Sequence, residues 1–227
     1  MKVLVLNGSP KRDNSDTMHM TRAFLEGMDA VHVNEVTVLH AVDQVVKPCL
    51  GCFACKKNGG TCMLEDDMAD ILRQILASDL LIWSFPLYCF GMPAPLKAII
   101  DRTMPLSTMA MHKVDGRYEH ESQRDFSRLK YVMISGCGFP SAQNNFEGMI
   151  TQFQYMFGVE DSTIITVTES PIFGVHAANA VTKPFLQKVR KAGREYAETG
   201  VLSEHTLRKL SRPMIPPKLY ERIANGQ

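Results

Sequence analysis

Two segments of this chain carry side chains whose types and spacing can do chemistry. The first is Asn7-Gly8-Ser9-Pro10-Lys11-Arg12-Asp13-Asn14-Ser15-Asp16-Thr17. It offers hydroxyls on Ser9, Ser15 and Thr17, the Lys11 ammonium, and free backbone N–H groups where a helical pattern begins. A phosphate monoester dianion is held by converging donors of this kind. The plainer alternative is an ordinary Ser/Thr-capped turn, but few turns need that density of hydroxyls. The second segment is Pro48-Cys49-Leu50-Gly51-Cys52-Phe53-Ala54-Cys55 running on to Cys62, a C-x2-C-x2-C-x6-C pattern. Structural zinc sites usually use two separated knuckles, whereas successive C-x2-C steps wrap around the corners of a cubane, so the spacing points to a [4Fe–4S] cluster. Zinc, and thiols that carry no metal at all, stay open as alternatives. Cys89 and Cys137 read as small half-buried side chains without a ligand role.

Absent motifs narrow the phosphate compound. There is no G-x-x-x-x-G-K-[ST], and no G-x-G-x-x-G follows the first apolar run. The next strand ends Val38-Leu39-His40 without an acidic residue for an adenosine ribose, which disfavours dinucleotide binding in the Rossmann manner. A phosphoacceptor receiver would want acidic groups where this chain has Asn7-Gly8 and Phe85-Pro86.

The elements that must position these segments follow from periodicity. Runs at 2–6, 31–39, 80–85, 129–135 and 162–168 read as strands, the first of them as one buried on both faces. Helical spacing lies between them: Met20, Phe24 and Met28; Met68, Ile71, Leu72, Ile75 and Leu76; 93–102; Phe146 to Phe157; and 181–196. Such alternation predicts an α/β fold, a doubly wound five-stranded parallel sheet of order 2-1-3-4-5 with helices on both faces. Residues 1–200 form that domain, with the cysteine-rich 49–62 loop inserted. Residues 104–128 show no period and are expected to be a lid or a subunit contact. Residues 201–227, basic and with Pro213, Pro216 and Pro217, are expected to be a C-terminal extension that contacts a partner subunit.

In that strand order two further loops reach the edge that carries the phosphate loop. Phe85-Pro86-Leu87-Tyr88-Cys89-Phe90-Gly91-Met92-Pro93 and Ser135-Gly136-Cys137-Gly138-Phe139-Pro140 supply aromatic faces, thin backbone and exposed N–H groups. An isoalloxazine ring suits this mixture. As a set, Asn7 to Lys11 with Ser15 and Thr17, Pro86-Leu87-Tyr88, and Ala94-Pro95-Leu96-Lys97 leading to Asp101-Arg102 resemble the NADPH-dependent FMN reductase group of flavodoxin-like proteins. The cysteine motif and Asp66-Asp67-Met68 resemble its iron–sulfur flavoprotein branch. By that resemblance Ser9, Pro10, Lys11, Asn14, Ser15 and Thr17 would hold the phosphate of flavin mononucleotide (FMN). Pro86, Leu87, Tyr88, Gly91, Met92, Gly136, Cys137 and Gly138 would border its ring, and Cys49, Cys52, Cys55 and Cys62 would hold the cluster. Asp16 departs from the pattern, and its side chain is expected to point away from the phosphate.

The resemblance implies an oxidoreductase in which FMN takes electrons from NAD(P)H, or from ferredoxin where a cluster is present, and passes them to a quinone, a flavin or a similar small acceptor. It also implies a homodimer or homotetramer, and it calls for no catalytic acid or base. The rival readings are a non-enzymatic electron carrier and a zinc or thiol-switch protein. Lys plus Arg (25) nearly equals Asp plus Glu (24), so nucleic acid and anionic membrane are not expected partners. The apolar run at Val3–Leu6 is too short for a signal peptide, which predicts a cytoplasmic address, and there crowded cysteines favour metal or redox chemistry over disulfides.

Overall fold

The computed structural model describes residues 1–114 and 116–227. Five strands, β1 (Lys2–Asn7), β2 (Glu35–His40), β3 (Leu80–Pro86), β6 (Lys130–Gly136) and β7 (Ser162–Val167), form one parallel sheet in the order β2-β1-β3-β6-β7. This is the predicted order, with the two later strands renumbered because a hairpin precedes them. Side chains alternate across the sheet, and both faces are covered. Val3 and Val5 face one way, toward Met20, Phe24 and Met28 of α1 (Asp16–Asp29) and Phe185, Val189 and Tyr196 of α6 (Asn179–Thr199). Leu4 and Leu6 face the other, toward Met68, Ile71 and Ile75 of α3 (Met68–Leu76), Leu96 and Ile99 of α4 (Ala94–Asp101), and Met149 and Phe153 of α5 (Glu147–Phe157). Such fully buried side chains each stabilise the fold by about 2 kcal/mol, which is why these apolar runs pin the architecture.

Two segments are more regular than their sequence pattern suggests. Residues 104–128 are not structureless: Ser107–Val114 (β4) and Arg117–Ser122 (β5) pair as an antiparallel hairpin. Met109 and Met111 are exposed, so the strand lacks the apolar/polar alternation that marks a one-face-buried hairpin. Residues 201–227 are not a bare arm. They form α7 (Glu204–Leu210) and α8 (Pro217–Ala224), and Leu210 and Tyr220 are buried within the chain itself. The link between these helices is held by Glu169, whose Oε2 accepts the Met214 N–H at 2.6 Å. Boundaries elsewhere shift by a few residues. The second strand begins at Glu35 rather than residue 31, because 31–34 is a turn closing α1. Among the described residues no helix is long and apolar enough to cross a membrane.

Candidate functional site

The phosphate-loop segment joins the end of β1 to the start of α1, at the carboxyl edge of the sheet. Its geometry is set by Asn7, buried at 0% exposure. The Asn7 Oδ1 accepts the Ser9 N–H at 2.9 Å, and its Nδ2 donates to the Arg12 carbonyl at 3.0 Å and lies 3.0 Å from His40 Nδ1. One amide therefore spans the turn and ties it to the end of β2. Sequence reading placed Asn7 at the head of the loop without giving its side chain a role, and left His40 unassigned. The missed signal is a long-range pairing that no local pattern displays. Gly8 is required at its position, since a Cβ there would approach Leu96 Cδ2 to 2.9 Å and Phe85 Cβ to 3.0 Å.

Two of the hydroxyls meet. Ser9, Ser15 and Thr17 are buried, and Ser15 Oγ lies 3.3 Å from Thr17 Oγ1. Ser15 also caps α1, its Oγ accepting the Met18 N–H at 3.1 Å. The first N–H groups of a helix have no intrahelical acceptor, so those of Asp16 and Thr17 stay available at the positive end of the α1 dipole. Pro10, Lys11 and Asn14 lie on the exposed rim of the loop. The Asp16 Oδ2 takes the Lys11 ammonium at 3.1 Å, with the side chain only 15% exposed. A carboxylate in the first turn is favoured by the helix dipole, and the neighbouring lysine balances it.

The ring loops flank this turn at the ends of β3 and β6. Tyr88 and Gly91 exchange two backbone hydrogen bonds, 3.0 and 2.9 Å, around Cys89 and Phe90, both in the left-handed region. That tight turn pushes the Tyr88 and Phe90 rings outward. Phe90 stacks on Phe139 with centroids 6.2 Å apart and planes 8° from parallel, and all three rings are exposed. Pro86, Leu87, Gly91 and Met92 are half-buried beneath them. Gly136 and Cys137 extend the sheet at this edge: Leu87 N–H donates to the Gly136 carbonyl at 2.8 Å, and Cys137 N–H to the Val167 carbonyl at 2.9 Å. Burial pushes the Cys137 thiol up, which leaves it a neutral apolar filler. Gly138, one residue further out, is exposed. Sequence reading missed Phe90 and Phe139 as a pair, because their stacking joins two loops 49 residues apart.

Cys49, Cys52, Cys55 and Cys62 all line one cavity of about 710 Å³, together with Leu50, Phe53, Met63, Asp101, Arg102 and Met104. Cys49 and Cys52 are exposed, Cys62 is half-buried, and Cys55 is buried on the short helix α2 (Ala54–Lys57). That helix is clamped by Lys56, whose Nζ donates to the Met104 and Ser107 carbonyls at 2.5 and 2.6 Å. Burial lowers the Lys56 ammonium below its ordinary range. Among the described residues no three His, Cys, Asp or Glu side chains are gathered as a ligand set. The donor chemistry, four thiols on one apolar-walled cavity, nonetheless fits a thiophilic metal group whose binding draws the loop together.

A sequence-family model described as the flavodoxin-like fold matches residues 1–200. The chain belongs to the flavodoxin-like family. It is similar to an iron–sulfur flavoprotein of Methanocaldococcus jannaschii, 33% identical over 106 residues that make up 47% of this chain and 53% of that protein. The chain thus spans about half the length of the curated iron–sulfur flavoproteins it matches. A Bacillus subtilis protein named as an NAD(P)H-dependent FMN-containing oxidoreductase is 27% identical over 157 residues, 69% of this chain and 77% of that one. Among solved structures, an FMN-dependent NADH-azoreductase of Bacillus anthracis in complex with FMN superimposes with a TM-score of 0.62 over 86% of this chain and 99% of that one. At 19% identity it speaks for the fold.

Proposed function

We propose that this flavodoxin-like protein is an FMN-dependent oxidoreductase. It takes electrons from NAD(P)H or a reduced ferredoxin-like donor and passes them to a small acceptor such as a quinone or flavin. The observation that carries this reading is the meeting, at one sheet edge, of a hydroxyl- and amide-rich turn with loops that present exposed aromatic rings. Relatives named as FMN-containing and FMN-dependent NAD(P)H oxidoreductases support it. FMN, when bound, supplies acceptance of electrons in pairs and their release singly or in pairs.

The chain's own residues bind and orient. Ser9, Ser15 and Thr17 with the first amides of α1 would hold the phosphate, and Lys11 adds a positive charge at the rim. Tyr88, Phe90 and Phe139 would shield the ring from water, and Gly138 would leave room for its polar edge. No side chain is required to move a proton. Steady-state oxidation of NADH and NADPH by the purified protein, with a quinone or free flavin as acceptor, tests the reading. Absence of turnover in FMN-loaded protein favours a carrier that only exchanges electrons with a protein partner. A cytoplasmic setting and a homodimer or homotetramer go with the proposal.

Within it, Cys49, Cys52, Cys55 and Cys62 are the ligands of a [4Fe–4S] cluster, a reading supported by their common cavity and by the iron–sulfur flavoproteins among the relatives. The wide exposure of Cys49 and Cys52 favours a second reading, a zinc or thiol switch. Iron and acid-labile sulfide assays on anaerobically prepared protein separate the two: a cluster brings both elements, zinc or free thiols neither.

A further inference from the structure

Beside the thiol cavity lies a buried charged pair for which FMN binding has no use. Arg102 is 2% exposed and grips Asp66 with two nitrogens, Nη1 on Oδ2 at 2.7 Å and Nη2 on Oδ1 at 3.0 Å. Taking such ions from water costs several kcal/mol each, and an apolar filling often stabilises a fold as well or better. The pair does more than fill space. Arg102 Nη1 also donates to the Lys47 carbonyl at 2.8 Å, while Asp66 accepts the N–H groups of Lys47 at 2.9 Å and Met68 at 3.1 Å. These contacts tie together the two ends of the cysteine loop, just before Cys49 and just after Cys62, and fasten them to the end of α4. The other Nη2 hydrogen reaches a sulfur: Arg102 Nη2 lies 3.4 Å from Cys62 Sγ, and both residues line the cavity, while Nε is buried with no partner among the described residues.

We propose that Arg102 is a positioning residue that holds an N–H on the Cys62 sulfur and thereby raises the reduction potential of the cluster, with Asp66 setting how much of its charge reaches the sulfurs. The inference rests on the cluster reading given above. One-electron reduction adds negative charge to a group already carried by thiolates, and an N–H aimed at a ligating sulfur stabilises the reduced form more than the oxidised one. Because the Asp66 carboxylate lies against the guanidinium, the arginine's net charge is balanced, and Cys62 feels chiefly an N–H dipole. Two substitutions should therefore move the potential in opposite directions. Asp66→Asn keeps the shape of the carboxylate but leaves the cation uncompensated, so the potential rises. Arg102→Met combined with Asp66→Asn removes the donor without orphaning a charge, so the potential falls.

The test uses full-length protein reconstituted anaerobically with ferrous iron and sulfide. Iron and sulfide per chain are counted, and the midpoint potential is read from the electron paramagnetic resonance signal of the reduced cluster. Clusters in all three proteins, with an upward shift in Asp66→Asn and a downward shift in the double variant, support the proposal. Loaded variants with the wild-type potential, shifts of the same sign in both, or reduced iron content at an unchanged potential overturn it while leaving the cluster reading intact. Wild-type protein that takes up neither iron nor sulfide overturns both. Should the double variant fail to fold, Arg102→Lys carries the same test. It keeps a cation but has no planar fork to hold Asp66 and Cys62 together, and its potential is expected to fall.

Discussion

The turn at residues 7–17 and the loop at residues 48–62 are both rich in groups able to grip a ligand, yet they are built to opposite designs. In the first, the scaffold is finished in advance: Asn7 holds both ends of the turn, Ser15 caps a helix, and the Ser15 and Thr17 hydroxyls are buried beside one another. In the second, Cys55 and Cys62 are anchored by neighbours, while Cys49 and Cys52 stand exposed on backbone that passes through the left-handed region at Gly51 and Phe53. The difference is the one expected if the first segment holds a phosphate and the second a thiolate-bound metal group. Hydrogen bonds to a phosphate are individually modest, so affinity depends on donors that need no rearrangement. Metal–thiolate bonds are strong enough to order the loop that supplies them.

The contrast can be broken most severely at the exposed cysteines. Cys49→Ser and Cys52→Ser should each abolish iron and sulfide incorporation, yet change urea-unfolding stability by less than about 0.5 kcal/mol, as expected of exposed side chains without partners. A large loss of stability in the metal-free variants would mean that the loop is as preformed as the phosphate turn. Asn7→Ala should do the reverse. It orphans the Ser9 N–H and the Arg12 carbonyl, which costs about 3 kcal/mol in the same assay and weakens FMN binding strongly, with metal uptake retained.

Acid distinguishes the regions through Asp66. Burial pushes its carboxyl up, but the Arg102 hydrogen bonds and the Lys47 and Met68 N–H groups outweigh this and hold it below the ordinary 3.8. A carboxyl depressed by folding contributes stability that is present above pH 3.8 and lost as pH falls through its lowered value. Wild-type stability should therefore drop more steeply below pH 3.8 than that of Asp66→Asn, and parallel acid profiles would contradict the assignment. Smaller effects belong to the phosphate turn. Ser15→Ala removes both a helix cap and a hydroxyl, costing about 1 kcal/mol of stability and roughly tenfold in FMN affinity. Asp16→Asn frees Lys11 and deletes a like charge, so FMN should bind tighter by about fivefold in a fluorescence titration, with the gain shrinking at high salt.

Much of the fold was legible because its central strands are buried on both faces. Val3-Leu4-Val5-Leu6 and Leu80-Leu81-Ile82-Trp83 have no polar side to confuse the reading, and they are separated by segments of helical spacing. The hairpin at 107–122 was not legible. Met109, Met111, His112 and Lys113 are all exposed, so the strand has no contrast between its faces. The same limit applied at the site. Ser9, Ser15 and Thr17 announce themselves by type and closeness, whereas Asn7 with His40 and Arg102 with Asp66 are partnerships across 33 and 36 residues of chain. Nothing in a local pattern separates Arg102 from a surface arginine, and its burial is known only once α4 and the cysteine loop are packed together.

The central claim is that the turn after β1 holds a flavin phosphate, and direct titration tests it. FMN is added to apo-protein freed of flavin, its fluorescence is followed, and riboflavin, which lacks the phosphate, is titrated alongside. The account predicts saturable quenching by FMN at one equivalent per chain, with riboflavin bound at least a hundredfold more weakly, a difference of about 2.7 kcal/mol. Unquenched FMN, or FMN and riboflavin bound alike, would contradict it.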